Sequence, residues 1–197
     1  MVDILLGMRI LEPQHQWFGF EVARMLEDES SSYMRDINGS GASNALKDTG
    51  WIYQGEPLCV PIVEDAGQRA VAAAWLTKTS MGLNLSFATA QRYAGQGFST
   101  LACALVLVAY RNMHPDAELL VHAQFDSENH GSLGVVNHLG LVQSDDFKFS
   151  VSSRGALREF YGAKAPISDL MPKARDIIRS RVYLREEVAS RRSTERE

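Results

Sequence analysis

The stretch "YAGQGFSTLACALVLVAYRN", residues 93–112, decides the fold, because it places a glycine-rich turn directly before a run of small and apolar side chains. A run that is apolar on nearly every helical face is typical of a helix packed against a sheet. A turn before such a helix leaves main-chain N–H groups at its positive end. Gly95 and Gly97 have no Cβ to block an anion, and Ser99 or Thr100 is expected to cap the helix. The stretch predicts either a phosphate-binding turn or only a tight turn.

Apolar periodicity and turn residues predict an α/β (α+β) fold with a mixed, mainly antiparallel central sheet flanked by helices. The three strands before the helix form an antiparallel meander, and the strand after it completes a β-α-β unit. The expected first third of the chain is a strand over 4–11, a helix over 15–28 with Trp17, Phe18 and Phe20, and a loop with a short helix over 29–50. Strands over 56–65, 70–80 and 82–90, a helix over 100–112 and a strand over 117–125 follow. The last predicted elements are a short helix over 130–141 stopped by Gly140, a strand over 147–153, and a long helix over 167–188 broken early by Pro172.

Composition predicts one domain over 1–165 followed by a C-terminal helix and charged tail over 166–197, since 197 residues with 45% hydrophobic content suffice for one core. The net charge of −4 argues against a nucleic acid partner. From Pro172 onward there are eight Lys or Arg and five Asp or Glu, which favours a solvated helix over a grip on an acidic partner. Cys59 and Cys103 have no metal-ligand or CxxC spacing, and no leader or long apolar run is present, so we expect free thiols, a cytoplasmic location and no membrane partner.

The glycine turn fits neither the dinucleotide fingerprint, which needs a third glycine and a later acidic residue, nor a Walker loop, which needs Lys-Ser or Lys-Thr. It resembles the acyl-CoA pyrophosphate loop of the GCN5-related N-acetyltransferases (GNAT). In that loop Arg or Gln is followed, after two intervening residues, by Gly-x-Gly or Gly-x-Ala. Ala94, Gly97 and Ser99 fall on the motif positions, so the basic or amide side chain is missing at Ala94. Arg92 or Gln91 is a candidate substitute.

A second motif, "NHGSLGVVNHLGL" at 129–141, carries the resemblance further. The family has Asn, then Ala or Ser three residues later, and commonly Tyr four residues after that. Asn129, Ser132 and Val136 stand at these three positions. Together the motifs and the preceding strands extend the resemblance over about residues 56–150. Val136 replaces the tyrosine that serves as the family's common acid, and His138 stands at a lysine-like position.

The resemblance implies acetyl-CoA, or another acyl-CoA, bound at a V-shaped notch where the fourth and fifth strands splay apart. A main-chain N–H at a strand bulge would then stabilise the oxyanion. The residues implied in binding the acyl-CoA are Phe87, Ala88, Thr89, Ala94, Gly95, Gln96, Gly97, Phe98, Ser99, Thr100, Asn129 and Ser132.

The candidate catalytic residues are His122, Asp126, Glu128, Ser132 and Tyr161. Four of them have structural alternatives: His122 as a half-buried strand histidine, Asp126 and Glu128 as solvated carboxylates, and Tyr161 as a residue that packs in the core. The resemblance implies that Asn129 and Ser132 contact the pantetheine or sit near its sulfur.

Three functions follow. The first is N-acyl transfer from acetyl-CoA to a primary amine of a small molecule or protein. The second is a GNAT-fold protein that binds acyl-CoA or regulates, with weak turnover, because Ala94, Ser99 and Val136 depart from the pattern. The third is a modifier of a nucleic acid base or aminoacyl-RNA, which the short mixed-sign tail does not favour. A homodimer through the final strands or C-terminal helix is compatible with the pattern.

Overall fold

The structure, a computed structural model, describes residues 3–5, 8–10, 59–64, 70–153 and 156–194. Within them, eight strands form one sheet in the order β1-β2-β3-β4-β5-β6-β8-β7, and only the β5–β6 pair is parallel. The strands are β1 (Asp3–Leu5), β2 (Met8–Ile10), β3 (Cys59–Glu64), β4 (Ala70–Thr79), β5 (Gly82–Thr89), β6 (Leu120–Asp126), β7 (Val142–Ser153) and β8 (Ala156–Pro166). The helices are α1 (Phe98–Met113), α2 (His130–Leu139) and α3 (Ile167–Thr194), with a short 3₁₀ turn over Gln91–Tyr93.

The predicted meander and β-α-β unit are confirmed. Strands β3, β4 and β5 pair antiparallel in succession, and α1 carries the chain over to β6. The single strand expected over 4–11 is wrong, because two short strands, β1 and β2, pair antiparallel with one another there. The predicted helix over 15–28, with Trp17, Phe18 and Phe20, and the loop over 29–50 lie outside the described residues.

Helix α1 is apolar on most faces because it packs between the sheet and α3. Its buried residues join those of β4, β5, β6 and β8 in one core, and α3 adds Ile167, Leu170, Met171 and Ala174 to the same cluster. Cys103 is a buried free thiol inside this helix. Burial of these side chains is the main force that holds α1 and α3 against the sheet.

Helix α2 ends where the sequence predicts. Gly140 lies just past its last residue with a φ of 92°, in the left-handed region that glycine adopts at little cost. The N–H of Gly140 donates to the carbonyls of Asn137 and Val136, so the helix end is satisfied.

The predicted break at Pro172 is wrong, since α3 continues through it from Ile167 to Thr194. Proline removes one main-chain donor, and the carbonyl left without it belongs to the exposed Ser168, where water can bond instead. A proline this close to the start of α3 is therefore tolerated without breaking the helix.

The predicted splay is confirmed at the parallel pair. Strand β5 pairs with β6 only through Leu83 with Val121 and Asn84 with His122. Beyond these pairs β5 stays bonded to β4 as far as Thr89, and β6 stays bonded to β8 as far as Asp126. The two strands therefore separate, and the space between residues 87–89 and residues 124–126 is the notch.

The described part of the chain contains no helix of sufficient length and apolarity to cross a lipid bilayer.

Candidate functional site

The glycine turn lies at the open mouth of the notch. Ala94, Gly95 and Gln96 are exposed, whereas Phe98 at the start of α1 is buried. Gly95 and Gly97 have φ values of 76° and 79°, the left-handed conformation that other residues rarely adopt. A Cβ at Gly95 would meet no atom of the described residues within 4 Å.

The N–H groups at this turn are largely free. No described residue accepts a hydrogen bond from the N–H of Gly95, Gly97, Phe98, Ser99 or Thr100. The first turn of a helix has no internal acceptors for these groups, and the helix dipole makes that end positive. The turn is therefore built to accept an anion.

The expected capping by Ser99 or Thr100 is wrong. Gly97 is the N-cap residue, and no side chain of the described residues caps α1. The hydroxyl of Ser99, which is buried, hydrogen bonds instead to the hydroxyl of Thr89 at the end of β5. This bond ties the strand to the helix and leaves the main-chain groups of the turn uncapped.

One edge of the notch is the main chain of β5. The Ala90 N–H donates to the Val71 carbonyl, and the β4–β5 register is unbroken, so alternate residues of β5 bond to β4. Phe87 and Thr89 therefore direct their N–H and C=O groups toward β6, while those of Ala88 bond to β4. The expected bulge is absent from β5, because every residue from Gly82 to Thr89 pairs in sequence.

The other edge is the main chain of β6. The Ile167 N–H donates to the Leu119 carbonyl, so the odd-numbered residues of β6 bond to β8 and the even-numbered ones face β5. Gln124 and the N–H of Asp126 thus face the notch beyond the last pair with β5, whereas the Asp126 carbonyl accepts from the Asn129 N–H at 2.9 Å. Two edges with unpaired main-chain groups face each other across the notch.

His122 lies at the closed end of the notch. Its side chain is 2% exposed and stacks on the Phe147 ring, with centroids 5.3 Å apart. Its Nε2 is 3.2 Å from the hydroxyl of Thr79, which itself donates to the Gly82 carbonyl at 3.1 Å. Because that hydroxyl has only one hydrogen, Nε2 must be the protonated nitrogen of the ring.

The other ring nitrogen of His122 is a buried acceptor. No described residue bonds to its Nδ1. Burial lowers the pKa of His122 from its usual value of 6.5, so the ring is neutral at pH 7. Lys164 faces His122 from β8 and is itself paired with Asp146 of β7. A neutral imidazole with a free lone pair is the state that a proton acceptor requires.

The two carboxylates at the end of β6 differ. Asp126 is 4% exposed and accepts from the Glu128 N–H at 2.9 Å, while Arg158 Nη1 is 3.5 Å from its other oxygen. Its contacts hold the turn after β6 in place. The side chain of Glu128 is exposed.

Asn129 starts α2, because its side-chain oxygen accepts from the Ser132 N–H at 3.0 Å. This cap places α2 at the mouth of the notch beside β6, with Ser132 half-buried in its first turn. Val136 is fully buried in the core, so no proton donor stands at that position.

Tyr161 is not brought to the notch. It pairs with Phe125 across β6 and β8, so strand β6 separates it from β5. Its hydroxyl donates to Glu159 at 3.3 Å, and its ring packs against the core. His138 is exposed at the end of α2, where Nδ1 is 2.7 Å from the Gly134 carbonyl.

Arg181 is a residue of the site that the sequence did not reveal. Its Nη2 donates to the carbonyl of Gln96 at 2.7 Å, and a Cβ at Gly97 would lie 2.2 Å from the same atom. The candidate substitutes behave differently: Arg92 lies over the Tyr93 ring, 4.8 Å from its centroid, and Gln91 is exposed. The only sequence signal for Arg181 was the positive balance of the tail.

Comparison of the sequence with protein-family models and with curated proteins gives no significant match. Comparison of the fold does. A GNAT-family acetyltransferase from Bacillus anthracis matches with a TM-score of 0.60 at 14% identity, over 82% of this chain and 96% of its own.

The chain has the GNAT fold. Two further GNAT-like structures match it. The protein yncA from Salmonella typhimurium, assigned as an acetyltransferase and solved with acetyl-CoA, has a TM-score of 0.59 at 11% identity, over 82% of this chain and 94% of its own. The ribosomal-protein-S18-alanine N-acetyltransferase from Escherichia coli has a TM-score of 0.58 at 11% identity, over 81% of this chain and 94% of its own.

Proposed function

We propose that this GNAT-fold chain is an N-acyltransferase that uses acetyl-CoA and acts on a primary amine of a small molecule or a protein. One observation carries the proposal: free N–H groups at the start of α1 lie at the mouth of a notch with two unpaired strand edges. An anion and an extended amide chain fit these two features in adjacent positions.

The residues of the notch match the parts of acetyl-CoA. The N–H groups of Gly95, Gly97 and Phe98 donate to the diphosphate, since they have no other described acceptor. The main-chain groups of Phe87 and Thr89 bond the amides of the pantetheine arm, as an added strand would. When bound, acetyl-CoA supplies an acetyl group activated as a thioester.

In the transfer, the amine nitrogen forms a bond to the acyl carbon while the bond between that carbon and sulfur breaks. An ammonium group loses two protons overall, one to a base and one that ends on the departing thiol. Alignment in the notch contributes the larger share of the rate, because positioning alone can supply about 7–11 kcal/mol. With no bulge in β5, the N–H of Phe87, which lies nearer the closed end of the notch than Thr89, is the donor for the developing oxyanion, and the other main-chain groups of the two residues bond the pantetheine amides.

His122 is the proton acceptor in this proposal, and its buried Nδ1 receives the proton through a water molecule. It is favoured over Asp126, which already accepts two bonds, and over Tyr161, which lies across β6. Glu128 and Ser132 lie at the mouth of the notch, at the other end of β6. The thiol leaves without a tyrosine acid, since a thiol with a pKa of about 8.5 is a fair leaving group.

A second function is favoured by one observation. Val136 fills the core where the family has its acid, so a protein that binds acyl-CoA but turns over slowly is the alternative. Its regulatory role would rest on the same notch.

Calorimetric titration of acetyl-CoA, followed by a thiol-release assay with a panel of amines, tests the proposal. We expect binding, amine-dependent release of CoA, and an acetylated amine by mass spectrometry. Binding without release would support the slow alternative, and no binding would contradict both. An electrophoretic shift assay with RNA and DNA tests the third function, where we expect no retention.

A matched pair of glycine variants ties the binding to the turn. Gly97→Ala places a Cβ against Arg181 and strains a φ of 79°, so we expect acetyl-CoA affinity to fall at least about tenfold. Gly134→Ala, in open space on α2, should bind as the native protein does.

A further inference from the structure

Arg181 connects the last helix to the glycine turn. Helices α1 and α3 pack antiparallel, because Ile167 bonds to Leu119 beyond the end of α1 while Arg181 reaches Gln96 just before its start. The side chain of Arg181 is half-buried, and one of its N–H groups donates to the Gln96 carbonyl at 2.7 Å. The guanidinium thus lies directly against Gly97.

The position of this cation beside a helix start favours an anionic ligand. The start of α1 carries partial positive charge from its free N–H groups, and Arg181 adds a full charge beside it. Among the described residues, no carboxylate forms an ion pair with Arg181. A guanidinium has five donors, of which Gln96 accepts one. The remaining donors and the helix start are therefore positioned for one shared anionic ligand.

We propose that Arg181 contacts the diphosphate of the acyl-CoA and supplies, from α3, the side chain that Ala94 lacks. The proposal rests on the proposed function and extends it to a residue outside the turn. Arg92 is the nearer candidate in sequence, but its guanidinium lies over Tyr93. Arg181 is also held in place before any ligand binds, so little side-chain freedom is lost on binding.

The bond to Gln96 also admits a purely structural role, in which Arg181 only holds the turn. The two roles differ in charge and in ligand. A structural role needs a donor to the Gln96 carbonyl and affects every ligand of the notch. A diphosphate contact needs a cation and affects only ligands that carry the diphosphate.

The test measures the affinities of acetyl-CoA and of S-acetyl-pantetheine, which has the thioester arm but no diphosphate. The variants are Arg181→Gln, which keeps a donor without the charge, and Arg181→Lys, which keeps the charge. Arg179→Gln is the matched control, since Arg179 is exposed and paired with Asp176 at 3.6 Å.

We expect Arg181→Gln to weaken acetyl-CoA binding about 10- to 100-fold and to leave S-acetyl-pantetheine binding unchanged. Arg181→Lys should recover most of the affinity, and Arg179→Gln should match the native protein. Acetyl-CoA binding should also become less sensitive to salt in Arg181→Gln, because a screened charge contact is gone.

Two results would overturn the role of Arg181 while the proposed function stands: acetyl-CoA affinity unchanged in Arg181→Gln, or equal loss of both ligands. Failure of the native protein to bind acetyl-CoA would overturn the proposed function itself, and the role of Arg181 with it.

Discussion

At the scale of the single residue, His122 shows how a strand position becomes chemically special. Its Nε2 hydrogen is committed to Thr79, and Phe147 covers its ring, so its Nδ1 lone pair is the group left without a described partner. A buried acceptor without a donor is costly and calls for an explanation, and the proposed role as proton acceptor supplies one.

We expect His122→Gln to lower the rate constant for amine acetylation about 100-fold, with little change in acetyl-CoA affinity. The measurement is steady-state kinetics together with calorimetry. His138→Gln is the control, because that exposed histidine lies at the far end of α2. An unchanged rate in His122→Gln would remove His122 from the mechanism.

The pKa of His122 gives the same variant a signature in pH. Because burial lowers this pKa below 6.5, the neutral base persists into mildly acidic solution, and activity should show a limb below pH 6.5 that is absent from His122→Gln. The stability of the fold depends on pH in the same direction. The unfolded chain binds the proton more readily, so the contribution of a neutral His122 is present above pH 6.5 and is lost as the pH falls.

The sequence identifies His122 as a candidate but does not show the state of its ring. That state depends on Thr79 at the β4–β5 turn and on Phe147 of β7, both brought together only by the sheet. Arg181 could not be found at all, because 85 residues separate it from the carbonyl that it contacts. Contacts of this range follow from helix docking, which local patterns do not encode.

At the scale of the element, a glycine on β8 and a glycine on α2 should respond oppositely to an added methyl group. At Gly162 on β8, a Cβ would lie 2.1 Å from the Cβ of Phe147, so Gly162→Ala should lower the free energy of unfolding by about 1–3 kcal/mol. At Gly134 within α2, an added Cβ would meet no described atom within 4 Å outside its own helix backbone, so Gly134→Ala should raise the free energy of unfolding by about 0.5–1 kcal/mol. Chemical denaturation measures both, and a stabilised Gly162→Ala would contradict the packing of Phe147.

Local signals predicted α1, α2 and the central strands well, because their apolar patterns and glycine boundaries are strong. Helix α1 begins two residues before its expected start, since Gly97 itself takes the cap position that Ser99 or Thr100 was expected to fill. The register of β5 could not be predicted, because an unbroken pairing and a bulge have the same sequence pattern. Continuation of α3 through Pro172 likewise depends on solvent at Ser168.

At the scale of the whole molecule, α3 belongs to the core that the strands build. We propose that the chain ends its essential folding unit within this helix and not at residue 165. Ile167, Leu170 and Met171 are buried, and each contributes about 1.5–3 kcal/mol, which together approaches the whole stability of a typical domain.

Two truncations test this assignment. A chain that ends at Pro166 should fail to show a cooperative thermal transition by circular dichroism. A chain that ends at Arg181 should melt close to the full-length protein, because the buried residues of α3 remain. Normal melting of the shorter chain would restore a domain limited to residues 1–165.

The GNAT fold could be anticipated from two motifs because the family places its chemistry at chain positions that also punctuate the elements. The order of the last strands could not be anticipated, since the sequences of β7 and β8 do not indicate which of them lies beside β6. Tyr161 was expected near the notch for that reason, and in the structure β6 lies between Tyr161 and β5.

The placement of β8 between β6 and β7 also determines when these strands can pair during synthesis. Strand β7 pairs only with β8 within the described sheet, and β6 meets β5 at only two residue pairs, so both wait for the last strand before they acquire a full set of partners. A nascent or clipped chain that ends before residue 156 therefore displays bare strand edges that favour self-association. These edges acquire their partners once β8, which ends at Pro166, has been synthesised.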